Sequence, residues 1–153
     1  MNSIVLPSSI KKIDVAEARH LRHKILRPHQ PPEACVYPGD DAPATAHFGA
    51  FQEKKLVGIA TVFNEPRAGE DDPKAWRIRG MATEEAVRGD GYGGALLEAC
   101  IAYVEEEGGR TIWCNARTTV MGFYAKYGFT PLGDEFDLPG IGTHFLMIRE
   151  SDS

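Results

Sequence analysis

Little in this sequence would anchor it anywhere but in water. No run approaches the ~18–20 apolar residues that span a bilayer. The first residues lack the basic start and long apolar core of a signal peptide. Cysteine is scarce: Cys35, Cys100 and Cys114 make an odd set with no pair at metal-ligand spacing. They read as small buried hydrophobes in a reducing compartment. A basic excess is also missing, since 17 Lys and Arg face 22 Asp and Glu, for a net charge of -5. That argues against a nucleic-acid partner and leaves room for a small cationic one. The expectation is a cytoplasmic protein with no membrane contact, no nucleic-acid partner and no metal.

What is present is ordinary for a globular chain: 42% hydrophobic and 25% charged residues over 153 positions. This suits a single domain spanning residues 1–153 with a sizeable core. Residues 3–6 read as a short strand. Asp14 reads as an N-cap, and Val15, Ala18, Leu21, Ile25 and Leu26 give helical spacing until Pro28. On that helix His20, Arg22, His23, Lys24 and Arg27 read as a solvated basic face. Residues 27–45 carry five prolines and read as a long loop with room for one helical turn. Residues 46–51 and 55–63 form a predicted hairpin. A strand follows at 75–82, with Trp76, Ile78 and Gly80 facing one way.

The densest signal comes next. Gly89, Gly91, Gly93 and Gly94 fall within six positions, Arg88 precedes them, and a clean helical pattern begins at Tyr92. Glycine lets backbone N–H groups turn toward a ligand and approach it closely. A helix N-terminus adds unpaired donors and partial positive charge. Together these make an anion site, and phosphate is the anion most often held this way. By letters, Gly89, Gly91 and Gly94 satisfy the dinucleotide fingerprint, with Arg117 placed to read an NADP 2′-phosphate. However, residues 83–88 separate the strand from the first glycine, and too little chain follows for a series of βα units. Beyond the helix, which Gly108 and Gly109 end, lie a short buried strand at 111–114 and a helix at 116–127. A last hairpin follows at 129–136 and 141–149.

The segment Arg88-Gly89-Asp90-Gly91-Tyr92-Gly93, between a strand and a long amphipathic helix, resembles the pyrophosphate loop of the GNAT superfamily of acyl-CoA-dependent N-acetyltransferases. Residues 78–83 look like that family's central strand, and Asn115 stands where the next strand is expected to end. Phe123-Tyr124-Ala125-Lys126-Tyr127-Gly128-Phe129 resembles the family's F-Y-x-x-x-G-F signature. The likeness covers roughly residues 46–149. The N-terminal segment, with Leu26-Arg27-Pro28 and Gly39-Asp40-Asp41, is similar to small bacterial members of the ElaA-like kind. No acceptor is carried over from it.

The resemblance implies a mixed α/β fold with flanking helices around a mostly antiparallel central sheet. Its parallel central strands, about 77–83 and 111–115, splay apart. It also implies acetyl-CoA as cosubstrate, held by the backbone of Met81, Ala82 and Thr83 and by Arg88, Gly89, Asp90, Gly91, Tyr92, Gly93 and Gly94. Asn115 would contact the cosubstrate or a bound water. Tyr124 matches the general-acid tyrosine, against the plain reading of a core aromatic. Phe123 and Tyr127 read as packing residues. The implied reaction is direct attack of a small-molecule or peptide amine on the thioester, and many relatives are dimers. Such an amine must lose a proton, because its free pKa is about 10. The base is not legible: Glu33, Asp40, Asp41, Glu84, His47 and His144 all qualify by type. Glu33, Asp40 and Asp41 would suit a cationic amine if they line the acceptor site. Two other readings stay open, a non-catalytic acyl-CoA sensor and an NADP-binding oxidoreductase.

Overall fold

A computed structural model describes residues 9–151, so the strand expected at 3–6 lies outside the described residues. Seven strands form one sheet: β1 (Ile10–Lys12), β2 (Ala46–Gln52), β3 (Lys55–Phe63), β4 (Ala75–Thr83), β5 (Thr111–Arg117), β6 (Thr130–Leu138) and β7 (Gly142–Glu150). Their order is β1-β2-β3-β4-β5-β7-β6. Every pairing is antiparallel except β4 with β5. The helices are α1 (Val15–Leu21), α2 (Tyr92–Glu106) and α3 (Met121–Ala125).

Helix α2 is the main cover of one sheet face. Leu96, Leu97, Ala99, Cys100, Ile101, Tyr103 and Val104 are buried at helical spacing. Leu96 and Leu97 are fully enclosed, each contributing about 1.5–3 kcal/mol of burial. Tyr103 meets Phe48 and Trp76 edge-on and donates its hydroxyl to the Ala44 carbonyl at 2.7 Å. Gly108, at φ +83, turns the chain out of the helix toward β5.

Helix α1 covers the other face. Asp14 caps it with a reciprocal bond pair to Glu17, as its sequence position predicts. The regular helix stops at Leu21, five residues earlier than its apolar spacing suggests. Residues Arg22–Leu26 form a wider π turn, closed by the Arg27 N–H on the Arg22 carbonyl. This turn directs Arg22 into the protein, where it is completely buried.

Arg22 is therefore not part of a solvated basic face. Its Nη1 donates to Asp40 Oδ2 at 2.8 Å and to the Cys35 carbonyl at 2.9 Å. Its Nη2 donates to Asp40 Oδ1 and to Thr61 Oγ1, both at 2.9 Å. Asp40 also accepts the Tyr37 N–H at 3.0 Å and Arg19 Nε at 3.3 Å. Burial pushes the Asp40 carboxyl up, but the hydrogen bonds from Arg22 and Tyr37 outweigh it and hold it below the ordinary carboxylate range. One bidentate pair thus pins loop 27–45 to β3, α1 and the π turn. The loop holds a single short helical turn, Pro32–Cys35.

Strand β4 carries the second structural device. Opposite β3 its register jumps between Ile59–Ala82 and Thr61–Arg79, leaving a bulge at Gly80. Gly80 has φ +69, and a Cβ there would sit 3.0 Å from Arg22 Nε and 3.2 Å from the Tyr37 ring. So Gly80 faces Arg22, not the side of Trp76 and Ile78 as plain alternation predicts. The extra residue returns Met81 to the α2 side, where it packs on the main core.

At β5 the expectations also shift. The strand runs to Arg117 because each residue from Thr111 onward pairs with β7. The following helix is accordingly short, a turn at Thr118–Val120 and then α3, in place of one helix over 116–127.

Breaking the buried pair should be severe. Asp40→Asn leaves Arg22 uncompensated and is expected to cost about 3–5 kcal/mol in urea unfolding at pH 7. Because the folded carboxyl titrates below its unfolded value, its stabilisation is full above pH ~4 and is lost as pH falls through the folded pKa. The gap between wild type and Asp40→Asn should therefore narrow toward pH 3, and a gap constant with pH would contradict this account of the pair.

Candidate active site

The parallel contact between β4 and β5 is brief. Ala75, Trp76 and Arg77 pair with Thr111, Ile112 and Trp113, and nothing pairs beyond. From there β4 follows β3 and β5 follows β7, so the two separate. The β4 edge at Met81, Ala82 and Thr83 faces the gap with no strand partner from β5. These three sequence-predicted residues and Tyr124 come together at this gap.

Tyr124 is buried on the core side of the gap, edge-on to Phe123 at 5.2 Å and Phe129 at 5.5 Å. Its hydroxyl donates to Met81 Sδ at 3.6 Å, the one acceptor it has among the described residues. Burial pushes the phenol well above its ordinary value, and the neighbouring Cys114 and Cys100 push the same way. The Tyr124 hydroxyl thus spends its proton on a weak thioether acceptor. Such a group can donate to a stronger acceptor that enters the gap.

The glycine loop lies at the end of β4. A short turn, Glu85–Val87, buries Val87 and leads into Arg88, whose Nε reaches back to the Thr83 carbonyl at 3.3 Å. Gly89 and Gly91 hold φ +92 and +91 with open space where a side chain would go. Gly91 caps α2 without a side-chain bond, and the first turn carries no acid. The N–H groups of Tyr92, Gly93 and Gly94 precede the first helical bond, from Ala95 to the Gly91 carbonyl. Asp90 is exposed and bonds only through its backbone to Val87. Gly94 has a separate reason to be glycine: a Cβ there would collide with the Tyr127 hydroxyl, so it sets how closely α3 approaches α2.

Asn115 does not end its strand. It pairs with Leu146 inside β5 and is half-buried. With Trp113 and Arg117 it lies on the sheet face opposite Tyr124, and its side chain makes no protein hydrogen bond among the described residues.

Most of the base candidates are already engaged. Asp40 belongs to Arg22, and Asp41 lies 3.6 Å from Arg19. Glu84 pairs with Lys24 at 2.6 Å. His47 is locked between Thr61 Oγ1 at 2.8 Å and the Asp40 carbonyl at 3.0 Å. That carbonyl requires a proton on Nε2, so the Thr61 hydroxyl donates to Nδ1 in the neutral ring. Glu33 is exposed. His144, stacked on Phe136, donates Nδ1–H to the Gly142 carbonyl at 2.8 Å. In the neutral ring this leaves the Nε2 lone pair without a protein partner, on the same face as Arg117.

Arg22, Tyr37 and Arg79 were not legible as a unit. Both guanidinium groups lie 4.0 Å from the Tyr37 ring centroid, so the ring joins the buried pair to β4 beside the bulge. The one available signal was Gly80 inside a strand pattern, which marks a bulge or a close approach. A surface hollow of about 470 Å³ bordered by Lys74, Glu105 and Arg110 lies at the other end of β4 and β5, away from both Tyr124 and the glycine loop. Among the described residues no group of three or more His, Cys, Asp or Glu side chains could hold a metal, and no helix is long and apolar enough to cross a membrane.

Residues 14–129 match the acetyltransferase (GNAT) family. The chain is 40% identical over 140 residues to Uncharacterized N-acetyltransferase YitI of Bacillus subtilis (strain 168), covering 92% of this chain and 94% of that protein. In fold it is similar to Escherichia coli ElaA, with a TM-score of 0.76 at 19% identity over 92% of this chain and 98% of that one. It is also similar to an aminoglycoside 6′-N-acetyltransferase complexed with coenzyme A, with a TM-score of 0.68 at 16% identity over 92% and 96% of the two chains. The single parallel pair and the splay beyond it do not provide the parallel βα series of a dinucleotide enzyme. The chain belongs to the GNAT family and is an acyl-CoA-dependent acetyltransferase.

Proposed function

We propose that this chain moves an acetyl group from acetyl-CoA to a primary amine on a small molecule or peptide, by direct attack of the amine on the thioester. Residues 1–153 work in this reading as one catalytic domain in the cytoplasm. The observation that carries it is the Tyr124 hydroxyl, buried beside the β4–β5 gap with only the weak Met81 thioether acceptor at 3.6 Å among the described residues. When bound, acetyl-CoA supplies the activated acyl group and a thiolate leaving group.

The chain's own groups then divide the work. The N–H groups of Gly89, Gly91, Tyr92, Gly93 and Gly94, with the Arg88 side chain, hold the pyrophosphate. Asp90 sits in the same loop and shapes its turn, with its own N–H bonded to the Val87 carbonyl at 3.1 Å. The open edge of Met81, Ala82 and Thr83 pairs with the pantetheine amides. A β4 N–H at Met81 or Ala82 stabilises negative charge on the thioester oxygen. Tyr124 protonates the departing thiolate, whose thiol pKa is about 8.5. Asn115 contacts the cosubstrate or an ordered water. The His144 Nε2 lone pair accepts the proton that the ammonium must lose before attack.

Release of free CoA on mixing with an amine panel separates this from a non-catalytic acyl-CoA sensor, which would bind acetyl-CoA and acetylate nothing. Tyr124→Phe should lower kcat about 10²–10³-fold while leaving acetyl-CoA affinity within about twofold. Undiminished turnover would remove Tyr124 from the acid role. Gly91→Val forces a β-branched residue to φ +91 and should weaken acetyl-CoA binding by at least about tenfold in a direct titration; unchanged affinity would contradict the clamp. His144→Gln should lower kcat/KM for the amine at least about tenfold at pH 7 with acetyl-CoA affinity unchanged, and an unchanged kcat/KM would exclude His144 as base.

A further inference from the structure

We propose that the acceptor amine carries an anionic group, a carboxylate or a phosphate, and that Arg79 binds it. This rests on the acetyl-transfer reading above, because it concerns the acceptor side of the same gap. The charges around that side are nearly all matched. Arg22 is neutralised by Asp40 at 2.8 Å, Arg19 by Asp40 and Asp41, Lys24 by Glu84, and Arg77 by Glu65 at 3.1 Å. Arg79 is the exception on β4. Its side chain has no ion pair and no hydrogen bond among the described residues, and its guanidinium stacks on the Tyr37 ring at 4.0 Å.

The arrangement differs from that of a purely structural arginine. Arg79 is half-buried, so it is already partly stripped of water. Burial and the nearby Arg77 both work against its charge. Stacking on Tyr37 fixes the plane of the guanidinium, and Tyr37 is itself fixed because its N–H is bonded to Asp40 and its ring lies 4.0 Å from Arg22. The donors at the edge of that plane remain free, in the fork that suits a carboxylate or phosphate bidentately.

Its position also fits. Arg79 lies two residues before Met81, roughly 7 Å along the strand, on the face shared by Trp113, Asn115 and Arg117. Arg117, exposed at the end of β5, is a second cation there without an ion pair among the described residues. An anionic group a few bonds from the reacting nitrogen would reach Arg79 with the nitrogen near Met81. The net charge of -5 and the acidic letters of loop 27–45 suggest a cationic acceptor, but Asp40 is spent on Arg22 and Asp41 lies beside Arg19.

The test compares amines that differ in the anion alone: the proteinogenic amino acids against their α-carboxamides, and O-phosphoethanolamine against ethanolamine. CoA release should favour the anionic member of the best pair by at least about tenfold in kcat/KM. The carboxylate pairs against the phosphate pair then show which anion is meant. Arg79→Gln should bring that ratio to about one through KM, and Arg79→Lys should keep part of it. A merely structural role would lower both members alike and leave the ratio intact, which would overturn the proposal. So would a preference for the neutral member in every pair. If no amine is acetylated although acetyl-CoA binds, the transfer reading fails by itself. Calorimetry of N-acetyl amino acids against their carboxamides on the CoA-loaded protein then decides this proposal alone. Tighter binding of the acid that vanishes in Arg79→Gln supports it, and equal binding overturns it.

Discussion

Strand β4 loses its partner on one edge after Arg77, and the rest of the site depends on that loss. Up to Arg77 it is an interior strand, bonded to β3 and β5. Past that point β5 stays with β7 and β4 stays with β3, and the sheet opens without a chain break. Opening a sheet leaves backbone donors and acceptors unpaired, a cost that a protein carries only where something else will satisfy them. The Gly80 bulge acts at the same place. It adds one residue, brings Met81 to the side of Tyr124 and leaves Arg79 facing Tyr37. One irregularity in one strand thereby places Met81 with Tyr124 on one face and Arg79 with Tyr37 on the other.

The opened strand needs support from behind, and the Arg22–Asp40 pair supplies it. A guanidinium at full burial is costly unless nearly every donor is satisfied. Here both terminal nitrogens are satisfied by partners from loop 27–45 and β3, while Nε alone lacks one, against the bulge. The pair, Thr61 and His47 form a closed neutral-to-charged network on the β3–β4 face that carries Arg79. It consumes Asp40 and His47, two residues that would otherwise look like catalysts. What remains unspent there is Arg79, Arg117 and the Nε2 of His144.

Legibility in the sequence followed the range of the interactions. The α2 pattern, the Asp14–Glu17 cap and the two hairpins rest on contacts a few residues apart, and their letters are sufficient. The glycine loop and the tyrosine signature were readable because each carries several unusual residues in one short segment. Arg22 was misread because a charge in a helical pattern ordinarily faces water, and its partner lies 18 residues away across a proline-rich loop. Residues 115–117 were misread because pairing with β7 overrides a weak local preference. Gly80 and Arg79 were not legible as a unit, since a bulge is a property of two strands together.

Amide hydrogen exchange with and without acetyl-CoA tests the central claim most directly. The account predicts slowed exchange at Met81, Ala82 and Thr83 and at residues 88–94, with little change at the far ends of β4 and β5. Protection confined to the hollow around Lys74 and Arg110, with the β4 edge and the glycine loop unchanged, would contradict it.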